Sequence, residues 1–176
     1  GASPICANLV YALGMTRSEL CTFAIELVSE MFRAESEDDF QNKEKGLFYY
    51  IDAVSYAAEL TANRALIPSL QKLHANPHLN KQSLKSGIEK HHVLERLSLM
   101  ELILGRALAR CGSGEGYETL IDYLDDMRAV LAEFAHNALV KISSQDFGKD
   151  KNAWNQWLSS NESRLQPVVL KERPKS

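Results

Sequence analysis

Cysteine is scarce in this chain and odd in number: Cys6, Cys21 and Cys111, with no CxxC spacing. A complete set of disulfides within one chain is therefore excluded. Each cysteine falls in an apolar helical pattern, so buried free thiols are expected, which suits a reducing compartment. Long hydrophobic runs are missing too. No apolar stretch reaches the ~18 residues a spanning helix needs, so no membrane segment is expected. Residues 5–15 are apolar, but no basic stretch precedes them and no clean small-residue cleavage site follows, unlike a secretory signal. An excess of one charge is also lacking. A net charge of −3 and a pI of about 6.0 give no global pull towards nucleic acid or an anionic membrane. Strand patterns are all but absent; the one β-leaning run, Pro167–Leu170, is short.

What is present is helix. An apolar share of 45% beside 24% charged residues is that of a folded domain. A chain of 176 residues buries roughly two thirds of its unfolded surface and needs no metal or disulfide staple. Ile5–Leu13 is a short apolar segment ending at Gly14. Thr16 and Glu19 have capping-box spacing. The helix they open carries Leu20, Phe23, Ala24, Leu27, Val28 and Met31 as one stripe, expected to face the core. Glu35–Lys45 reads as a loop, Leu47–Leu60 as a helix rich in tyrosine, and Arg64–His74 as a helix capped by Asn63. Asn76-Pro77 punctuates the chain before a polar, more basic stretch. Val93–Cys111 is apolar almost all round, which marks a helix buried on every side. CGSGEG ends it. Two further helices, Tyr117–Asp125 and Arg128–Ile142, precede the DFGKD turn. Ala153, Trp154, Trp157 and Leu158 then form a short apolar face, expected to cap the last core layer. Residues 161–176 read as an extended or disordered tail.

Two segments share a shape. Leu66-Ile67-Pro68-Ser69-Leu70 leads to Asn76-Pro77, and Leu120-Ile121-Asp122-Tyr123-Leu124 leads to Asp125-Asp126 and a helix with Val130, Ala135, Leu139 and Ile142. These residues resemble HEAT repeats. The separation exceeds the ~40–47 residues usual for the class, and the polar stretch Asn76–His91 accounts for the excess. The closing pattern of Gln145–Leu158, QDFGKDKNAWNQWL, is similar to the C-terminal ends of bacterial HEAT-repeat proteins. It also looks like the tails of some bacterial proteins that carry an N-terminal FAD-dependent oxidoreductase domain. The stronger match covers Tyr117–Leu158. The resemblance implies an all-α, HEAT-like α-α superhelix of about seven to nine helices over residues 1–160. It also implies a scaffold function, with the chain as the C-terminal domain of a larger bacterial enzyme.

Motifs of chemistry do not assemble. Asp146-Phe147-Gly148 copies a kinase triplet without the Gly-rich loop, paired Lys and Glu, or catalytic loop that phosphoryl transfer requires. Phe147 is expected beneath the turn. Gly112–Gly116 lacks the preceding strand and following lysine of a phosphate loop and reads as a helix end. No GxGxxG occurs, so no dinucleotide cofactor is expected. His74, His78, His91, His92 and His136 show no convergent ligand spacing, and no metal is expected.

The expected function is a non-catalytic interaction or scaffold module. Its partner is a protein or another domain of the same parent chain. Tyr49, Tyr50 and Tyr56 are the candidate contact residues, since tyrosine buries a large ring yet tolerates water at its hydroxyl. Two other classes stay open: an enzyme with a site on the concave face, and a weak nucleic-acid binder using Lys72–Arg96.

Overall fold

The computed structural model describes residues 4–87 and 92–171. Within them lie nine α-helices and no strand. They are α1 (Pro4–Met15), α2 (Leu20–Met31), α3 (Glu37–Gln41), α4 (Leu47–Thr61), α5 (Ile67–His74), α6 (His92–Arg110), α7 (Gly114–Asp122), α8 (Ala129–Ser143) and α9 (Lys151–Asn161). Lys90 and His91 lie outside the described residues.

The apolar run expected to be buried on every side is α6, the spine of the molecule. Leu97, Met100, Leu104, Ala107 and Leu108 pack into a core shared with α1, α2, α4 and α5. Leu102 and Ala109, on the opposite side of the helix, pack into a second core shared with α7, α8 and α9.

Helix α1 packs on α4, α4 on α6 and α6 on α8, while α2 packs on α5 and α7 on α9. Glu115 of α7 reaches α5 through Gln71 (2.7 Å) and His74 (2.7 Å). Helix α1 also lies against α2, α6 against α5, and α7 against both α6 and α8.

The CGSGEG segment does more than end α6. Gly112 turns the chain with φ +89°, whereas Gly114 and Gly116 are already inside α7. A Cβ on Gly116 would sit on the amide nitrogen of Ala109 and 2.5 Å from the carbonyl oxygen of Gly105. The glycine lets the α7 backbone touch α6. Gly116→Ala is expected to cost about 1–3 kcal/mol, as overpacking does. Urea unfolding checks this, and an unchanged midpoint would contradict the close approach.

The largest departure from the sequence expectation is α2. Its buried residues are Cys21, Ile25, Val28 and Ser29. Of the expected core stripe only Val28 is fully inside; Leu20 (64% exposed), Phe23 (66%), Leu27 (50%) and Met31 (48%) face solvent. The helix has two apolar faces. The one that packs carries the smaller or β-branched side chains, which admit a close neighbour. The capping box is also absent: Thr16 Oγ1 donates to the Leu13 carbonyl (3.0 Å), and Ser18 Oγ accepts from the Leu20 amide (3.2 Å). Nor is Glu35–Lys45 wholly a loop. It holds α3, entered where the Asp39 carboxylate accepts from the amides of Glu35 (2.7 Å) and Ser36 (3.3 Å).

At the other end the stack is closed. Asp150 caps α9, accepting from the Ala153 amide at 3.0 Å. Trp154 is 0% exposed, and its indole N–H donates to the Gly148 carbonyl at 2.8 Å. Phe147 (4.9 Å) and Trp157 (6.1 Å) meet its ring edge to face. Beyond α9, Leu165 is buried. The Val168 amide donates to the Arg110 carbonyl (2.8 Å) and the Leu170 amide to the Glu59 carbonyl (2.9 Å). The β-leaning run is thus extended chain hydrogen-bonded to α6 and α4, and it forms no strand.

Candidate functional site

Helix α4 is buried along most of its length, with Tyr49 and Asp52 its exposed residues. Tyr49, Asp52, Ala53, Tyr56 and Glu59 follow helical spacing and share one face. That face lines a cleft of about 430 Å³ with Tyr11 of α1 and with Ile103 and Arg106 of α6. Tyr11 stacks on Tyr56, with ring centroids 4.9 Å apart and planes inclined by 19°. The Tyr56 hydroxyl donates to Met15 Sδ at 3.6 Å.

The charges in the cleft are unequally committed. Glu59 is buried, and accepts from Arg106 Nε (2.6 Å) and Nη2 (3.1 Å) and from Arg110 Nε (3.1 Å). Burial lowers the Arg110 pKa against the pull of Glu59. Arg96 lies over the Phe48 ring, 3.9 Å from its centre. Asp52 sits at the rim. The surrounding walls raise its carboxyl pKa by desolvation, opposed by the charges of Arg96 and Arg106.

A second polar cluster is a latch. The buried Glu101 carboxylate accepts from the amides of Lys81 (2.7 Å) and Gln82 (2.8 Å) and from the Tyr123 hydroxyl (2.6 Å). His74 Nε2 lies 3.1 Å from it, and His74 Nδ1 lies 2.7 Å from Glu115. Asp126 accepts from the Leu84 amide (2.8 Å), and Arg128 donates to the Gln82 carbonyl (2.9 Å). Residues 81–84, between α5 and α6, are held down by these bonds.

Burial opposes charge on His74, but hydrogen bonds to Glu101 and Glu115 outweigh it and the pKa is raised. The protonated ring therefore stabilises the fold. That contribution is complete below the ordinary histidine pKa of about 6.5 and is lost as pH rises through the raised folded value. An NMR titration of His74 is expected to give a midpoint above about 6.5, and a midpoint below it would contradict the doubly bonded geometry. Stability lost by the wild type as pH rises above neutrality is expected to be missing in His74→Gln.

Of the tyrosines chosen from sequence, Tyr49 and Tyr56 line the cleft. Tyr50 does not: it is 1% exposed and belongs to the core, because its step along the helix points it inward. Tyr11 and Arg106 were not legible as site residues, since they join this face only when α1 and α6 pack on α4; Asp52 shares the α4 face with Tyr49 and Tyr56, and helical spacing could have found it. Lys72–Arg96 is largely compensated where it is described. Lys72 pairs with Glu30 (2.5 Å), Lys85 with Asp125 (2.5 Å), and Arg96 covers Phe48. Cys21 and Cys111 are buried free thiols, pushed up by burial to about 11 and about 12. Among the described residues no group of three or more His, Cys, Asp or Glu is placed to hold a metal ion, and no helix is long and apolar enough to cross a membrane.

Comparison with protein-family models, curated proteins and solved structures finds no match. The reading of function therefore rests on the chain's own surface. An exposed apolar feature outside the cleft is the α2 face. Leu20, Phe23, Leu27 and Met31 recur at helical spacing along one side. Glu26 and Glu30 on the same helix are exposed, as are Glu19 just before it and Glu35, Glu37 and Asp38 just after it. The nearby cations are engaged. Arg17 is held at the Leu60 carbonyl, Arg33 on the carbonyls of Glu30 (2.6 Å) and Phe32 (2.7 Å), and Lys72 on Glu30.

Proposed function

We propose that this chain is a non-catalytic helical-repeat interaction module, a HEAT-like α-α superhelix that docks a basic amphipathic helix on α2. The helix belongs to a protein partner or to another domain of the same parent chain. The observation that carries the reading is the exposed stripe Leu20, Phe23, Leu27 and Met31 on a helix whose other face is already buried. Soluble domains rarely leave four large apolar side chains in a row without a contact for them. The acidic rim selects the charge of the occupant, and an apolar helix face selects its form.

The superhelix reading is supported by the run of packing from α1 through α4 and α6 to α8, with α2 on α5 and α7 on α9 beside it. Terminal repeats of such stacks need a polar outer face. Helix α9 supplies one with exposed Asn152, Asn155, Gln156, Ser159 and Ser160; α2 does not. The resemblance of Tyr117–Leu158 to bacterial HEAT-repeat tails agrees with this, and on that reading the module would be the C-terminal domain of a larger bacterial enzyme.

The test uses two helical peptides with identical apolar positions at i, i+3, i+7 and i+11, one flanked by lysines and the other by glutamates. The basic peptide is expected to bind, to weaken with added salt, and to perturb α2 resonances. Phe23→Glu and Leu27→Glu should abolish binding while shifting stability by no more than about 0.5 kcal/mol, as at other surface sites. Equal binding of both peptides, or perturbation confined to other helices, would remove the reading. So would a stable dimer by sedimentation that Leu27→Glu dissociates, because a second copy would then be the occupant.

A further inference from the structure

Independently of the docking face, we infer that the cleft between α1, α4 and α6 is a binding site for an organic ammonium ion. Three aromatic residues, Tyr11, Tyr49 and Tyr56, line the same space of about 430 Å³ with two carboxylates, the arginine-paired Glu59 and Asp52. Aromatic faces attract a cation through the ring quadrupole, and most strongly a poorly hydrated alkylated one. Tyr49 and Asp52 are three residues apart on α4 and therefore adjacent on its surface. Tyr49 is 64% exposed, on a helix otherwise almost wholly buried. A large ring held open to solvent beside a carboxylate, on an otherwise packed helix, has no structural task in the core.

Asp52 is the cleft carboxylate that no arginine hydrogen-bonds, although the charges of Arg96 and Arg106 act on it. Both arginines whose charges act on it have other engagements: Arg106 binds Glu59 through two nitrogens, and Arg96 covers Phe48. The Asp52 carboxylate is partly desolvated by the walls, which strengthens its attraction for a cation that enters. Ala7 and Ala53 contribute little side chain to the lining. The space exceeds one trimethylammonium head, so the ligand carries a further apolar or hydroxylated portion.

The experiment compares choline with 3,3-dimethylbutan-1-ol, its uncharged carbon isostere, by NMR titration of the intact chain against a sodium chloride control. Choline is expected to shift the ring signals of Tyr11, Tyr49 and Tyr56 saturably, and to bind about tenfold more tightly than the alcohol. Asp52→Asn and Tyr49→Ala are each expected to weaken choline about tenfold while leaving the circular dichroism and melting point unchanged, since both residues are exposed. Equal affinity for the alcohol would show an apolar cleft without cation recognition and overturn the inference. Shifts that sodium chloride reproduces, or undiminished choline binding by Asp52→Asn, would overturn it as well.

Discussion

Trp154→Ala is expected to cost about 3–5 kcal/mol of folding stability, as truncation of a buried aromatic does. The ring is fully enclosed, its N–H is satisfied by Gly148, and it is wedged between the edges of Phe147 and Trp157. Removing it leaves a cavity under the last helix and frees the Gly148 carbonyl. Against a typical domain stability of about 5–15 kcal/mol, the loss is a large fraction. Chemical denaturation of wild type and variant measures it. Trp154→Phe keeps most of the ring and should fall between the two. A loss below about 1 kcal/mol for the alanine variant would place it among exposed side chains rather than caps.

Glu101→Ala is expected to be comparably severe, about 3–5 kcal/mol, the range for breaking a buried charged pair. The carboxylate satisfies two backbone amides, a tyrosine hydroxyl and a histidine in a water-poor setting. Without it Tyr123 and His74 keep their burial and lose a partner, and the amides of Lys81 and Gln82 lose their acceptor. Hydrogen exchange at those two amides should accelerate more than at amides of α8. Unchanged protection there would show that Asp126 and Arg128 hold the segment without Glu101.

How far the fold was legible depended on how many faces each helix had to bury. In α6 apolar residues cover most of the circumference, so most rotations of the helix give a buried spine; one side stays open, with Glu95 and Arg96 exposed and Leu99, Ile103 and Arg106 half-buried. In α2 two apolar faces compete, and periodicity alone favours the larger side chains. Packing chose Cys21, Ile25 and Val28 because small and branched residues fit against a neighbour whose shape no single sequence displays. The C-terminal closure was legible because DFGKD and the paired tryptophans act within one stretch of chain. The latch was not, since Glu101, Lys81, Gln82 and Tyr123 are joined only by tertiary contact. The cleft was half legible. Helical spacing linked Tyr49 to Tyr56, whereas Tyr11 and Arg106 arrive from other helices, and Tyr50 turned inward because adjacent helical positions point about 100° apart.

The most direct test of the docking claim places a photo-crosslinking residue at Phe23 in the intact chain, with the same probe at Asn155 on the polar end as control. In the source cell, the probe at position 23 should capture a segment with apolar residues at helical spacing flanked by lysine or arginine. Leu27→Glu should remove that product, and the probe at position 155 should not yield it. Products that are equal at both positions, that survive Leu27→Glu, or that map to an acidic or non-helical segment would contradict a docking role for α2.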